Sequence, residues 1–274
     1  MITRAPLNRS GFSDVDHTSD PAAYARRLDD TGAHEFWRMV KRHALTLLKV
    51  REGAHLLDVG CGTGDEARSL ARLVGTTGRV VGVDAGVTMI TEARARSAGS
   101  HMPIAFYHGD AHHLDFPDRT FDGCRAERVL QHLDDPRLAV AEMVRVARPG
   151  APIVLIEPDY GTLRIEGADQ AVTDRILEHR RNHFLSGTIG RQLPRICKEN
   201  QLSGVTVRLF SLAGTEIAQE KEHLIVSKYA ADAQAAGAIS ETEAATWLAD
   251  LVDAGTKGQY RRALTVFLVS GRKP

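Results

Sequence analysis

An α/β chain with a doubly wound, mostly parallel sheet of seven strands is the fold this sequence predicts. Short apolar runs at 55–59, 78–84, 104–108, 121–126, 152–156, 205–210 and 263–269 alternate with segments of helical periodicity. That rhythm is the signature of repeated strand–helix–strand units. The first run leads directly into a glycine turn, Gly60-Cys-Gly-Thr-Gly64, and the turn opens a helix. Carboxylates or other polar groups then stand at the ends of successive runs, where an open parallel sheet binds its ligands.

Taken in order, residues 1–20 are polar and read as a loosely held arm. Asp20-Pro21 is a helix start, a capping residue followed by proline at the first helical position. A second helix is expected near 31–49, with Phe36, Trp37, Met39, Val40, Leu45, Leu47 and Leu48. Its aromatics could pack on the sheet or cover a substrate, and one helix can do both with its two faces. Residues 65–74 repeat apolar positions at Ala67, Leu70, Ala71 and Val74, a helical spacing. Further helices are expected at 86–98, 136–148, 168–185 and 191–202, with a pair within 220–254. The domain reading is an arm with lid helices over 1–49, then one domain over 50–274. Within it, insertions near 157–190 and 220–258 lie above the sheet, neither apolar enough to form its own core.

Lys and Arg together number 35, matching 35 Asp and Glu, so no global charge favours nucleic acid. Cys61, Cys124 and Cys197 are too far apart for a metal-binding pair or a disulfide framework. No apolar stretch approaches the roughly 20 residues of a membrane span, and the N-terminus has no hydrophobic signal region. A soluble cytoplasmic protein is therefore expected. The arm could close its own pocket or, in a homo-oligomer, a neighbour's.

The glycines are spaced G-x-G-x-G, with Asp65 where a dinucleotide fingerprint wants its third small residue. There is no Lys-Ser/Thr of a P-loop, and Asp58, Asp65 and Glu66 disfavour a phosphate. A ligand here would meet backbone N–H groups at a helix start. Asp84, 20 residues after Gly64, is placed to take both ribose hydroxyls, and Asp110 with Ala111 to take an adenine edge. A nucleoside without phosphate, beside acidic groups, fits S-adenosylmethionine better than NAD or ATP.

At these residues the chain resembles the class I S-adenosylmethionine-dependent methyltransferases. Leu56-Leu-Asp-Val-Gly-Cys-Gly-Thr-Gly64, Val83-Asp84, Gly109-Asp-Ala111, Phe116-Pro-Asp-Arg-Thr-Phe-Asp122, Val129-Leu-Gln-His-Leu133 and Val146-Ala-Arg-Pro-Gly150 are similar to its small-molecule branch, which includes ubiquinone/menaquinone C-methyltransferases and natural-product methyltransferases. The resemblance covers about 50–157 and implies an antiparallel seventh strand, supplied by 263–269. It also implies site roles. Asp58, Gly60, Cys61, Gly62 and Gly64 would surround the methionine part of the cofactor. Asp84 would hold the ribose, Ala85 the adenine edge, and Asp110 and Ala111 the adenine. Arg125 and Ala126, just past the fourth strand, would lie next to the transferred methyl. Arg125 departs from the small or polar residue common there, and is expected to turn towards Glu127 or the cofactor carboxylate.

For the reaction itself, His132 is the expected base, or else bonds to its own loop. Glu157, Asp159 and Tyr160 end the fifth strand and would face the substrate, or cap a helix in a solvated loop. His112 and His113 read as structural or exposed. His179, Arg180, Arg181 and His183 form a basic run, either a solvated face or an attraction for an anionic substrate. Arg191 is expected to pair with a nearby acid. The function expected is methyl transfer to O, C or N of a small molecule, in secondary-metabolite or quinone-type biosynthesis, with no metal. RNA or protein methylation, and a cofactor-binding scaffold that promotes cyclisation, are the alternatives.

Overall fold

The computed structural model describes Phe12, residues 15–18 and residues 20–274. The rest of the predicted arm lies outside the described residues. Two helices come first, α1 (Pro21–Ala33) and α2 (Glu35–Leu48). Asp20 caps α1 by accepting the Ala23 amide at 3.1 Å. His34 is extended, and its Nδ1 accepts from Phe36 N–H at 3.2 Å, so the second helix starts at Glu35 rather than at 31.

The sheet follows as predicted. β1 (His55–Val59), β2 (Arg79–Asp84), β3 (Ile104–His108) and β4 (Gly123–Glu127) are joined through α3 (Asp65–Val74) and α4 (Val87–Ser97). Then come α5 (Pro136–Val146), β5 (Pro152–Glu166), α6 (Gln170–Asn182), α7 (Ile189–Glu199), β6 (Ser203–Gly214), α8 (Glu220–Ala235), α9 (Glu241–Thr256) and β7 (Arg261–Arg272). The strand order is β3-β2-β1-β4-β5-β7-β6. β1 to β5 pair in parallel, and β7 pairs antiparallel with both β5 and β6. The chain winds outward from β1 in one direction, then restarts at β4 and winds the other way. The cleft between the carboxyl ends of β1 and β4 is therefore the switch point, where sheets of this topology bind their ligands.

Both sheet faces are covered, which explains why the strands read as continuous apolar runs. Leu56 and Val154 join a core with Val40, Leu70 and Phe106, while Leu57 and Leu155 join the opposite one with Met143 and Ile196.

The fifth strand departs from expectation. It continues past Ile156 to Glu166, with a bulge between Asp159 and Arg164, by pairing with β7. Beyond the sheet a third core forms, in which Leu163, Ile165 and Ile176 meet Val226, Tyr229, Trp247 and Leu251. Neither inserted segment supplies that core alone, but together they do. Trp247 Nε1 donates to Thr173 Oγ1 at 2.8 Å, tying α9 to α6, and Glu222 binds Arg262 at 2.6 and 2.7 Å, tying α8 to β7.

Candidate active site

The glycine turn is shaped by its surroundings. Gly60, Gly62 and Gly64 all adopt positive φ, which a side chain would strain. A Cβ on Gly60 would stand 2.1 Å from Val129 Cγ2, and one on Gly64 2.6 Å from Phe106. The turn's amides are less available than the sequence implies. Gly60 and Cys61 N–H donate to Val83 O, Gly62 N–H to Asp84 Oδ2, and Gly64 N–H to Cys61 O. The second strand absorbs three of these donors and the turn itself the fourth, so none of the four is presented to a ligand.

What it presents instead is acidic. Asp84 ends β2, and its Oδ1 and Oδ2 accept from Gly86 and Gly62 N–H at 2.9 and 2.8 Å. Burial raises its carboxyl above the ordinary range, partly opposed by those two amides. Each oxygen keeps a second lone pair for a hydroxyl donor. Ala85, next to it, is exposed, and its carbonyl meets His108 Nε2 at 3.0 Å. Asp110 is also exposed. Its Oδ1 is engaged by the amide and Nδ1 of His112, and Ala111 beside it is buried. Burial raises the Asp110 carboxyl, but the His112 bonds outweigh it and the net shift is downward.

Arg125 and Ala126 lie inside β4, not just past it, because the strand runs on to Glu127 in register with β1 and β5. Arg125 turns to Glu127 at 2.6 Å, as expected, and also to Asp58 at 3.0 Å. All three side chains are almost fully buried. Cys61 is buried, and burial pushes its thiol well above its usual range.

A second cluster of the predicted residues is built from β5 and the segments that follow β4 and α6. His132 closes a short 3-10 turn at Leu130–His132. Its Nε2 accepts from Gln131 Nε2 at 3.0 Å, and the same amide nitrogen faces Arg128 O at 3.3 Å, which requires the NH2 group there. The His132 ring lies 5.4 Å from Phe184 and 5.8 Å from Phe12. Tyr160 stacks on Phe184 at 4.3 Å.

Glu157 and Asp159 do not end their strand, since β5 continues through them, and both are fully buried. Glu157 Oε1 accepts from Val129 and Leu130 N–H at 2.8 and 2.7 Å, and burial pushes its carboxyl up to about 8. Asp159 takes the Arg191 guanidinium at 2.6 and 2.8 Å together with the Gly161 and Arg191 amides, the pairing expected for Arg191.

Five buried polar atoms here lack a hydrogen-bond partner among the described residues: Glu127 Oε1 and Arg128 Nε, which face each other as an ion pair at 3.6 Å, and Gln131 Oε1, Glu157 Oε2 and Arg180 Nε. Such atoms are rare, and the last three call for a ligand, a water or an ion. Sequence reasoning missed Gln131, Phe184 and Tyr229. The one local signal was the spacing of Arg180 and Phe184, four apart at a helix end.

Comparison with known proteins fits this geometry. A model described as a methyltransferase domain matches residues 57–155. A 37.1 kDa protein encoded in a transposon of Streptomyces fradiae is 32% identical over 252 residues, which is 91% of this chain and 70% of that protein. A ubiquinone/menaquinone biosynthesis C-methyltransferase of Saccharophagus degradans is 35% identical over 128 residues, 46% of this chain. The match spans only 50% of that enzyme's length. In fold, the YcgJ protein of Bacillus subtilis superposes with a TM-score of 0.58 at 19% identity, covering 87% of this chain and 97% of its own. The turn, the strand order and these relatives agree: the chain belongs to the class I S-adenosylmethionine-dependent methyltransferases.

Proposed function

We propose that this enzyme methylates a small organic acceptor at O, C or N, with S-adenosylmethionine as donor. The observation that carries the acceptor side is the cluster of unpartnered polar atoms beside the aromatic wall of His132, Tyr160 and Phe184. A pocket with few polar groups and several rings suits a small organic molecule.

When bound, the cofactor supplies a methyl group already activated on a sulfonium. The residues present fit such a ligand, since the turn offers carboxylates rather than free amides. Asp84 would hold the ribose hydroxyls, Asp110 and Ala111 the adenine, and Ala85 its edge. Asp58, Cys61 and the turn glycines would enclose the methionine part. Ala126 would border the reacting centre. Arg125 is held off by Asp58 and Glu127, so its charge is neutralised within the sheet. His132 would accept the acceptor's proton. Tyr160 would position the acceptor, while Glu157 and Asp159 would act through the backbone and the arginine they hold.

Residues 1–49 would form the lid, and the segments 157–190 and 220–258 the rest of the acceptor pocket. Leu28 Cδ1, 2.8 Å from where a Cβ on Gly62 would stand, and the ring contact of Phe12 with His132 support the lid. A cytoplasmic location is supported by three free, buried thiols. Among the described residues no helix is long and apolar enough to cross a membrane.

Calorimetry tests the donor side. The wild type is expected to bind S-adenosylmethionine, and Asp84→Ala to lose most of that affinity. No binding by the wild type would refute the proposal. Release of S-adenosylhomocysteine on adding an acceptor separates methyl transfer from a purely scaffolding use of the cofactor.

A further inference from the structure

Arg180 closes α6 with a buried guanidinium, only 7% exposed, that forms no direct ion pair among the described residues. It faces three rings, Tyr160 at 5.2 Å and Phe184 and Tyr229 each at 4.9 Å. Among the described residues no carboxylate lies within ion-pair distance of it, and its Nε has no hydrogen-bond partner. The Tyr160 phenol is the polar group against it. Asp232, whose charge it feels, pairs through Oδ1 with Lys228 at 2.9 Å, outside ion-pair distance of Arg180, and its buried Oδ2 has no hydrogen-bond partner.

Burying a cation without a counter-charge is costly, and ring faces offset part of that cost without supplying a lone pair. An aromatic box that merely held the helix would leave Nε unsatisfied. The charges acting on the neighbouring His132 have the same sign, since it feels Arg128, Arg180 and Arg27 together, although Arg128 Nε itself faces Glu127 Oε1 at 3.6 Å. Of the acids on β5, Asp159 is committed to Arg191, and Glu157 is engaged by two amides through Oε1 alone.

We infer that Arg180 anchors a carboxylate on the acceptor, and that the acceptors of this enzyme are aromatic acids. The inference rests on the methyl-transfer reading of the same site and narrows its substrate class. One guanidinium beside one phenol offers few donors, which suits a carboxylate better than a phosphate dianion. The Tyr160–Phe184 stack and the His132 ring supply a wall for a flat acceptor. The carboxylate would be the handle, and the methylated atom would lie elsewhere on the molecule.

The test uses the full chain saturated with S-adenosylhomocysteine and two probes of one shape, naphthoate and naphthalenemethanol. Calorimetry should show naphthoate binding the wild type at least about tenfold more tightly than the alcohol. Arg180→Met should lose that preference, and Arg180→Lys should keep part of it. Equal binding of the two probes, binding of neither, or naphthoate binding as tight in Arg180→Met as in the wild type would overturn the inference. Should Arg180→Met fail to fold, the wild-type preference and Arg180→Lys decide it. S-adenosylhomocysteine binding, measured first in each protein, is the separate check: its failure in the wild type strikes the methyl-transfer reading and not the anchor.

Discussion

Asp58 and Arg125 stand opposite one another in the β1–β4 ladder, and their side chains meet at 3.0 Å inside the sheet. Burial pushes the Asp58 carboxyl up to about 6, with Arg125 offsetting part of the rise. Glu127 shares the same guanidinium. Burial raises it too, but Lys41, Arg125 and Arg128 outweigh that and the net shift is downward. One cation thus holds two buried carboxylates beneath the glycine turn.

Removing that cation should be severe. Arg125→Met leaves both acids without their shared partner, and the expected loss is about 3–5 kcal/mol, read from urea unfolding. Arg125→Lys keeps the charge but not the fork, and should lose less. An unchanged midpoint in Arg125→Met would show that the pair does not hold the strands together.

Gly60→Ala tests the turn. The positive φ of 68° costs a side chain about 1–2 kcal/mol. The clash with Val129 adds about 1–3 kcal/mol of overpacking. Val129→Ala removes the clashing methyls, so the double variant should recover part of the loss. A double-mutant cycle with no coupling would contradict the contact.

Glu157 predicts a pH dependence of stability. Its folded value of about 8 lies above the ordinary 4.5. Between those values the folded protein keeps a proton that the unfolded chain has released. Stability from this group is therefore full below the lower value and is lost as pH rises through the upper one. Glu157→Gln, which mimics the protonated acid, should match the wild type at about pH 4 and exceed it by a few kcal/mol at about pH 9. Unfolding curves that keep the same gap at both ends would refute this.

His132 is held neutral. Burial, then Arg128, His183 and Arg180, push its ring down to about 3. A wild-type kcat/KM profile should therefore show no limb from this group near the ordinary histidine value of 6.5. A neutral ring accepts a proton but holds it weakly, and an anion beside Arg180 would strengthen it. If His132 is the base, His132→Ala should lower kcat by about a hundredfold to ten-thousandfold and leave cofactor affinity intact. A full-rate variant would remove it from the reaction.

The sheet was readable because its strands are buried on both faces, and burial on both faces writes an unbroken apolar run. The placement of Asp84 at the end of β2 and of Asp110 just past β3 was readable because each follows one of those runs. The tail of β5 was not readable. Glu157, Asp159 and Arg164 look like loop residues, and only Arg191, the amides of Val129 and Leu130, and pairing with β7 make them strand. Those partners are distant in sequence. Arg125 was misplaced for the same reason, since a buried arginine is tolerable only where Asp58 and Glu127 meet it. The turn amides looked free because nothing local reveals that Val83 O and Asp84 will take them.

The third core makes two separate stretches of chain into one inheritable part. Ile176 and Trp247 are neighbours in space, so a change of volume in α6 has to be answered in α9. Transplanting either stretch alone into a relative would expose half of a core. Acceptor preference in this scaffold should therefore be exchangeable as a cassette of both stretches with the β5–β7 extension that carries them.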